Sequence, residues 1–330
     1  MNHEHNAYLV LPYLRIQNYN SISSDLTWGA PAITGVMGYM HALQRKIPFD
    51  WGLDLLSVGL VMHDFEPQVN GRFEKKFNLT RNPSVALRGH RKNISGNGET
   101  KVSAIVEEGR AHGTISLVFG IFCDDNSGDD ELLQQRAREI YDVAQTLRFL
   151  GGSILPQIRT WPRPQILSFG DAEDEVDFVG LGEAFERQMW RLKRSLLPGF
   201  ALLCRDSLLR DHAETLKKQD PRMTNLDALL DLSRINYFYS NDDQDTVGWK
   251  VSRQAGDGWL VPIPVGFTAL SELYQPGKVK NARDSSSAFR FVESLYSVGE
   301  WRSPHRLDLL QDLLWLPQTD HNQGLYRCIN

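Results

Sequence analysis

The sequence predicts an α+β fold, and three observations lead to this class. In the first half of the chain, short apolar runs rich in strand-forming residues alternate with two segments of helical periodicity. Residues 112–122 alternate apolar and polar side chains, which is typical of a half-buried antiparallel strand. Farther along, apolar residues recur at helical spacing. We therefore expect an antiparallel sheet with helices, followed by a mainly helical C-terminal extension.

The first half is predicted to contain a strand, a helix, a strand, a long insert, a strand and a helix. The strands are expected at residues 8–17, 57–67 and 112–122, and the helices at 34–46 and 129–150. Thr34 is the expected N-cap of the first helix, and Gly151-Gly152 are expected to end the second. Pro12 indicates that the first strand lies at an edge or contains a bulge. Without the insert, this order resembles the ferredoxin-like βαββαβ pattern on which RNA-recognition domains are built.

The insert, residues 68–103, is polar and basic, and we interpret it as a protruding arm. Residues 71–101 carry eight Lys or Arg and two Glu, a net charge of +6, although the formal net charge of the chain is -5. Residues 171–186 contain seven acidic side chains and no Lys or Arg. Because a polyanion contacts one face of a protein, this segregation allows an acidic chain to bind nucleic acid.

The remainder of the chain is predicted to be more helical. Helices are expected near residues 185–196, 206–218 and 224–235, and a final helix is expected to start at Ser303-Pro304. Thr224 with Asp227 forms a variant of the capping box. Residues 259–267 are apolar but interrupted by prolines, which favours an extended edge segment. We expect a core of residues 1–204, and a helical and extended region of residues 205–330 packed on it.

Composition excludes several classes of protein. Hydrophobic residues make up 41% and charged residues 23%, as in an ordinary globular protein. No segment reaches the roughly 18 apolar residues of a membrane span, and the N-terminus lacks the pattern of a secretory signal. The cysteines, Cys123, Cys204 and Cys328, are odd in number and widely spaced, which favours a reduced cytoplasmic protein.

The sequence lacks the usual motifs of NTPases, dinucleotide enzymes, zinc sites and α/β-hydrolases, so no cofactor and no metal are expected. Two histidines lie near carboxylates: His63 beside Asp64, and His112 near Glu107 and Glu108. An acid–base role in RNA cleavage is one interpretation of these pairs. A histidine at a strand end near solvated carboxylates is the interpretation that we favour.

Residues 75–83 of the insert combine the side chains that contact RNA. In this interpretation, phosphates are neutralised by Lys75, Lys76 and Arg81. Base edges pair with Asn78 and Asn82, and bases stack on Phe77. An exposed charged loop is the alternative. The RNP1 octapeptide of ordinary RNA-recognition motifs is absent, so the standard aromatic sheet face is not expected to bind RNA.

Polar side chains also gather at two strand ends. Where the first strand leaves the sheet, base recognition is expected from Arg15, Gln17, Asn18 and Asn20, although asparagine is also an ordinary turn former. Arg110 and His112 either face RNA at the start of another strand, or Arg110 pairs with the neighbouring glutamates.

Several strings of the sequence together resemble one known family. They are IQNYNSISSDLTWG (16–29), HALQRK (41–46), KKFNLTRNP (75–83), AIVEEGRAH (104–112), LGGSILP (150–156), LLPGFALL (196–203), GWLVPIP (258–264), VKNARD (279–284), FVESLYSVGEWRSPHR (291–306) and GLYR (324–327). In this order they are similar to the second Csy subunits of type I-F CRISPR surveillance complexes, a Cas-five-like family. The likeness spans nearly the whole chain.

This resemblance implies a modified RNA-recognition fold whose basic insert is a thumb. Such subunits do not cut RNA: they hold the 5′ handle of the CRISPR RNA, pair with the large subunit, and pack the thumb against the adjacent backbone subunit. Target DNA is then a partner of the complex as a whole. The implied RNA-binding residues are Arg15, Gln17, Asn18, Asn20, Lys75, Lys76, Asn78, Arg81, Asn82, Arg110, His112, Gly151, Gly152 and Ser153.

Two other functions stay open at this point. A metal-independent endoribonuclease that processes precursor CRISPR RNA needs a general base, for which His112 and His63 are the candidates. A protein-interaction subunit would instead use the basic arm to bind an acidic partner.

Overall fold

The fold is built on one curled antiparallel sheet of thirteen strands. The structure is a computed structural model that describes residues 5–81, 105–124, 130–157, 161–168, 178–235, 237–240, 248–251, 258–282 and 284–330. In chain order the strands are β1 (Ala7–Asn20), β2 (Leu53–Asn70), β3 (Lys76–Arg81), β4 (Ile105–Glu108), β5 (Arg110–Cys123), β6 (Arg148–Phe149), β7 (Gly152–Ile154), β8 (Gln165–Ser168), β9 (Phe200–Cys204), β10 (Tyr237–Ser240), β11 (Gly248–Val251), β12 (Trp259–Ala269), β13 (Val292–Arg302), β14 (Leu316–Asp320) and β15 (Leu325–Ile329). The main path of the sheet is β14-β15-β12-β13-β9-β2-β5-β1-β7-β6, while β10 and β11 form a separate ribbon.

Helices cover both faces of the central strands. The α-helices of the described residues are α1 (Ile33–Gln44), α2 (Asp130–Thr146), α3 (Phe178–Ser195), α4 (Asp206–Gln219) and α5 (Asn225–Ser233), and short 3₁₀ helices span Phe49–Trp51, Pro304–Arg306 and Leu310–Leu313. One core cluster joins α1 and α2 to the sheet, and another joins the C-terminal end of α3 and the two late 3₁₀ helices to the opposite face. None of the helices described here is long and apolar enough to cross a membrane.

The central strand β5 pairs with β1 on one side and β2 on the other. Along β1, Leu9 and Leu11 enter the core under α1 and α2, whereas Tyr8 and Val10 enter the core under α3. Burial on both faces explains why residues 8–17 read as a nearly continuous apolar run. The expected half-buried character of residues 112–122 is therefore wrong for its second part, since Ser116 is 0% exposed.

The first strand contains a bulge that binds the turn after α3. Pro12 and Tyr13 lie opposite the single residue Ser116, and the freed amide of Tyr13 donates to Ser116 Oγ at 2.9 Å. His63 Nε2 lies 2.6 Å from the same hydroxyl, and its Nδ1 donates to the carbonyl of Pro198 at 2.6 Å. The Tyr13 hydroxyl donates to the carbonyl of Leu197 at 2.6 Å. Of the two expectations drawn from Pro12, the bulge is confirmed and the edge position is wrong.

Two helix boundaries differ from the prediction. The N-cap of α1 is Ala32 and not Thr34. The helix α2 ends at Thr146, and the chain then turns sharply into the hairpin of β6 and β7. Gly151-Gly152 therefore belong to the β6–β7 hairpin and do not end the helix. The apolar pattern still allowed a helix at residues 147–150, where the structure has the first strand of this hairpin.

The C-terminal region is not mainly helical, as had been expected. The helices α4 and α5 contain 14 and 9 residues, whereas β12, β13, β14 and β15 contain 11, 11, 5 and 5. The final helix predicted at Ser303 is replaced by the two short 3₁₀ helices, because the Asp312 carboxylate accepts the Leu309 amide at 2.9 Å and starts a new turn. The capping box of Thr224 and Asp227 at the start of α5 is confirmed.

The proline-rich strand β12 lies inside the sheet path, but among the described strands its proline-containing half has one neighbour, so the expected edge position is confirmed for that half. It pairs with β13 along its length and with β15 through residues 266–268. Pro262 and Pro264 lie in the first half of β12, which pairs with β13 and with no other described strand. A backbone nitrogen that cannot donate is tolerated on the unpaired side of such a strand. The pairing of β9 with β13 joins residues on both sides of position 204, and the division of the chain at that position stays a prediction.

We predict that Gly59→Ala destabilises the fold, because β2 and the 3₁₀ helix Leu310–Leu313 approach closely there. A Cβ at Gly59 would lie 1.7 Å from Leu313 Cδ1 and 2.9 Å from the Leu313 carbonyl oxygen. The expected loss is about 2 kcal/mol of unfolding free energy, measured as a lower urea midpoint.

The matched control is Gly38→Ala on the exposed surface of α1, where no atom lies within 4 Å of an added Cβ. That change should stabilise the protein by about 0.5–1 kcal/mol, since alanine is the better helix former. An unchanged midpoint for Gly59→Ala would contradict the close packing described.

Candidate nucleic-acid interface

Nine of the residues predicted to bind RNA lie together at one end of the central sheet. They come from the C-terminal end of β1, the N-terminal end of β5, and the β6–β7 hairpin. We call this surface the bulge site; its residues are Arg15, Gln17, Asn18, Asn20, Arg110, His112, Gly151, Gly152 and Ser153. Strand pairing brings these three segments together, although they are up to 138 positions apart in sequence.

A second bulge in β1 exposes consecutive polar side chains. Gln17 and Asn18 lie opposite the single residue His112, between the pairs Ile16–Gly113 and Tyr19–Ala111. Gln17 and Asn18 are both exposed, whereas the flanking Ile16 and Tyr19 are buried. Asn18 adopts a φ of 65°, a left-handed conformation that asparagine tolerates better than most residues. The bulge thus presents two amide side chains side by side, which a regular strand does not do.

Two side chains of β5 bind the backbone of Asn18. Its amide donates to His112 Nδ1 at 3.0 Å, and its carbonyl accepts from Arg110 Nη1 at 3.4 Å. Since a backbone N–H only donates, Nδ1 of His112 is the acceptor, and the proton of the neutral imidazole lies on Nε2. No described residue forms a hydrogen bond with Nε2 of this half-buried ring.

Arg110 also pairs with an acid, as one of the two interpretations of this residue expected, while its contact with RNA stays a prediction. Its Nε lies 3.2 Å from Glu108 Oε2, and the two side chains are 33% and 38% exposed. An ion pair this accessible to solvent contributes little stability. Of the five guanidinium N–H groups, three have no partner within the described part of the chain.

The β6–β7 hairpin lies directly against the bulge. The Asn20 amide donates to the Leu150 carbonyl at 3.0 Å, and Gln17 pairs with Ser153 across β1 and β7. A Cβ at Gly152 would lie 2.7 Å from the Tyr19 nitrogen, which explains the need for glycine at this contact. Gly151 has a φ of 80°, a left-handed conformation that favours glycine at this position as well.

The side chain of Asn20 has a structural role. Its amide nitrogen donates to the Ile22 carbonyl at 3.0 Å, and its Oδ1 accepts the Ile22 amide at 3.2 Å. This is the turn-forming alternative that the sequence left open. Arg15, Gln17 and Asn18, by contrast, are exposed and have no side-chain hydrogen bond within the described residues.

The predicted thumb starts as a three-stranded extension of β2, β3 and β4. Phe77 packs against Trp28 with the two ring planes nearly perpendicular and the ring centroids 5.3 Å apart, and the expectation that Phe77 stacks on bases stays a prediction. Asn78 donates from Nδ2 to the Gln68 carbonyl at 3.4 Å. Lys76 pairs with Glu74 at 3.2 Å.

The remaining thumb residues of the prediction are Lys75, Arg81 and Asn82. Lys75 is exposed. Arg81 ends β3, and its backbone alone is described. Asn82 lies outside the described residues, as does the rest of the insert up to position 104. Asn78 pairs with Glu108, the partner of Arg110, so β3 and β4 run directly into the bulge site.

The two histidines weighed as general bases differ in their surroundings. The His63 ring stacks on the Tyr13 ring with the two ring centroids 3.9 Å apart. Its Nδ1 bonds to the Pro198 carbonyl and its Nε2 to the Ser116 hydroxyl. It therefore stabilises the first bulge. His112 has one nitrogen bonded to the backbone, and neither Glu107 nor Glu108 contacts its ring among the described residues.

The three cysteines are free, and burial governs their chemistry. Burial raises the pKa of the Cys204 and Cys328 thiols. Thiols with a raised pKa react slowly, because the thiolate is the nucleophile. The residues described here contain no cluster of three or more His, Cys, Asp or Glu side chains arranged to hold a metal ion.

Comparison with known proteins identifies the family. The family model described as CRISPR-associated protein (Cas_Csy2) matches residues 9–328. The chain is also 44% identical over 333 aligned positions to CRISPR-associated protein Csy2 of Pseudomonas aeruginosa (strain UCBPP-PA14), an alignment that covers 97% of this chain and 94% of that protein. The chain belongs to the Csy2 family. The predicted likeness to the second Csy subunits of type I-F systems is thereby confirmed.

Sequence reasoning missed one cation that lies beside the bulge site. Arg148 is exposed and donates from Nη1 to the Gly151 carbonyl at 3.1 Å. It also missed Glu66, which pairs with His112 across β2 and β5. A cation three positions before a Gly-Gly pair was the available signal for Arg148. Nothing in the sequence indicated Glu66, because its position depends on strand register.

We predict that Gly152→Ala separates the hairpin from β1 in this Csy2-family chain. The added Cβ would lie 2.7 Å from the Tyr19 nitrogen and 2.8 Å from the Gln17 carbonyl oxygen, both of which are backbone atoms that cannot move aside alone. Hydrogen exchange of the Asn20 amide should accelerate by about tenfold or more. Ser153→Ala, at the exposed neighbouring position, should leave that rate unchanged. Equal rates in the two variants would argue against the tight contact.

Proposed function

We propose that this protein is a non-catalytic subunit of a type I-F CRISPR surveillance complex and binds the 5′ handle of the CRISPR RNA at the bulge site. The observation that carries the proposal is the bulge itself, which turns consecutive polar side chains outward beside Arg110 and His112. Exposed amide and guanidinium groups at a strand end suit the splayed bases and phosphates of single-stranded RNA.

The arrangement of the central strands supports an RNA-recognition type of core. Around β1 the strand order is β8-β1-β5-β2, all antiparallel, with α1 and α2 packed into one core with these strands. This is the four-stranded arrangement expected from the βαββαβ pattern once the thumb and the β6–β7 hairpin are set aside. The bulge site then lies at the strand ends and not on an aromatic sheet face.

Binding without cleavage is supported by the state of the two histidines. His63 is held by Ser116 and Pro198, and His112 by the Asn18 amide. Metal-independent RNA cleavage needs a base and an acid placed around one phosphate. Because both ring nitrogens of His63 and the Nδ1 of His112 already form hydrogen bonds that support the two bulges, the endoribonuclease alternative is the weaker one.

The thumb is proposed to contact a protein neighbour as well as RNA. Leu79, Ile105 and Val106 on β3 and β4 are 64%, 55% and 44% exposed. Exposed apolar side chains on a two-stranded projection favour burial against another subunit. We propose that the adjacent backbone subunit covers them, that the large subunit forms a heterodimer with this chain in the cytoplasm, and that target DNA is reached through the complex.

The test is co-purification of this chain with the large subunit, followed by binding of guide RNA with an intact or a scrambled 5′ end. Tighter binding of the intact end, with no cleavage of precursor RNA in EDTA, is the expected result. Equal binding of both ends would overturn handle recognition. Site-specific cleavage in EDTA that is lost in His112→Ala would establish the endoribonuclease instead.

We predict that Lys75→Ala/Lys76→Ala weakens RNA capture by the complex and makes it less sensitive to salt. Each phosphate contact that is lost reduces the slope of log K against log salt by about 0.7 for a single strand. The matched control is Lys217→Ala/Lys218→Ala, the adjacent lysines of α4. That pair should leave both affinity and slope unchanged. Identical behaviour of the two double variants would remove Lys75 and Lys76 from the interface.

A further inference from the structure

The two bulges of β1 use one device. At each bulge, two residues of β1 lie opposite one residue of β5, and that residue accepts the freed backbone N–H. Ser116 accepts the Tyr13 amide at 2.9 Å, and His112 accepts the Asn18 amide at 3.0 Å. Tyr13 and Asn18 share the left-handed conformation, with φ values of 52° and 65°.

The two accepting groups differ in what lies beyond them. The Ser116 hydroxyl is 0% exposed and contacts His63 Nε2 at 2.6 Å, so protein atoms complete that network. His112 is only half-buried, and its Nε2 has no partner in the described residues. Stabilising the bulge requires only the Nδ1 side of the ring. A smaller acceptor serves that purpose at the first bulge, so the outward N–H of His112 needs a different explanation.

We propose that His112 is a specificity-determining residue whose Nε2–H donates to an acceptor atom on a base of the RNA handle. This inference rests on the proposed handle-binding function and deepens it. The Asn18 amide fixes the tautomer and the direction of the ring, so the donor is in place before RNA binds. A ring rotated by 180° would lose the Asn18 bond and leave a backbone N–H without its partner.

Charges of both signs surround His112, and this mixed field suits a neutral base acceptor at Nε2. Glu66 pairs with His112 across β2 and β5, which brings the two side chains within about 5 Å at Cβ, and Asp64 pairs with Thr114 next along. Both carboxylates are exposed on the same face. Arg15, which pairs with Thr114 from the other side, and Arg110, which donates to Asn18, are cations next to the same site and can bind flanking phosphates. The carboxylates oppose a phosphate at Nε2 itself, whereas a neutral acceptor such as purine N7 or a base carbonyl is compatible with both kinds of charge.

Two amide replacements separate the two ends of the ring. In His112→Asn, the side-chain oxygen replaces Nδ1 and accepts the Asn18 amide, but no donor reaches the Nε2 position. In His112→Gln, the longer side chain places an N–H near the Nε2 position and leaves the Asn18 amide without its acceptor. His112→Asn therefore keeps the structural role and loses the proposed RNA contact, whereas His112→Gln keeps a donor for RNA and loses the structural role.

The experiment measures discrimination between intact and scrambled handles in the complex with the large subunit, together with hydrogen exchange of the Asn18 amide. His112→Asn should keep the amide protected and lose about tenfold in discrimination. His112→Gln should lose protection and keep more discrimination than His112→Asn. Discrimination that follows amide protection would make His112 purely structural and overturn the proposal. Wild-type levels in His112→Asn would overturn it as well.

Measurements on the wild-type protein and on modified RNA distinguish a failure of the His112 inference from a failure of handle binding itself. Should the wild-type complex fail to discriminate, handle binding itself fails, whatever His112 does. Should it discriminate while His112→Asn does too, only the present inference fails. Single 7-deazapurine or abasic positions in the handle should weaken wild-type binding at one position and leave His112→Asn unaffected there. The same pattern with a single methylphosphonate would identify a phosphate acceptor and overturn the assignment to a base.

Discussion

The pairing of β1 with β5 is the interaction on which the other parts of the structure depend. The two strands remain paired from Ala7 opposite Ile121 to Asn20 opposite Arg110, and they are interrupted twice. Each interruption frees a backbone amide in the interior or at its border, where an unpaired donor costs about 1–3 kcal/mol. Ser116 and His112 remove that cost. A long strand with two left-handed residues is stable because its partner carries an acceptor opposite each of them.

Each bulge also connects the central strands to a different part of the molecule. The first binds the Leu197–Pro198 turn through Tyr13 and His63, and so fixes the entry from α3 into β9. From β9 the sheet continues through β13 to the C-terminal strands. The second bulge lies against the β6–β7 hairpin and, through Arg110 and Glu108, against the thumb. Structural support and the proposed RNA site are therefore two outcomes of the same irregular pairing.

The sequence predicts those elements whose signal is local. The apolar runs, the α1 and α2 periodicities and the Thr224 capping box depend on neighbouring residues, and all are present in the structure. The extended segment at residues 259–267 was expected and is part of β12, whereas β13, β14 and β15 were not foreseen. Nor were the two late 3₁₀ helices, because leucines at 307, 310 and 314 suit a helix until Asp312 interrupts it. Clustering of Arg15, Gln17 and Asn18 with Arg110 followed from their positions at strand ends. The bulge depends on β5 register, which no single segment encodes.

Charge alone does not account for the proposed selectivity at the RNA end. The bulge site contains Arg15 and Arg110, and Arg148, Glu66 and Asp64 lie beside it, so the electrostatic field at this surface is mixed. Charge contacts to phosphates supply affinity without regard to sequence, and they weaken with salt. Hydrogen bonds to base edges carry sequence information only when their donors are fixed in direction. In the proposed function, the arginines of this surface attract phosphates and the carboxylates beside them oppose that attraction, so the selectivity is assigned to the directed donors of the bulge site, while the thumb lysines are proposed to add to the general attraction.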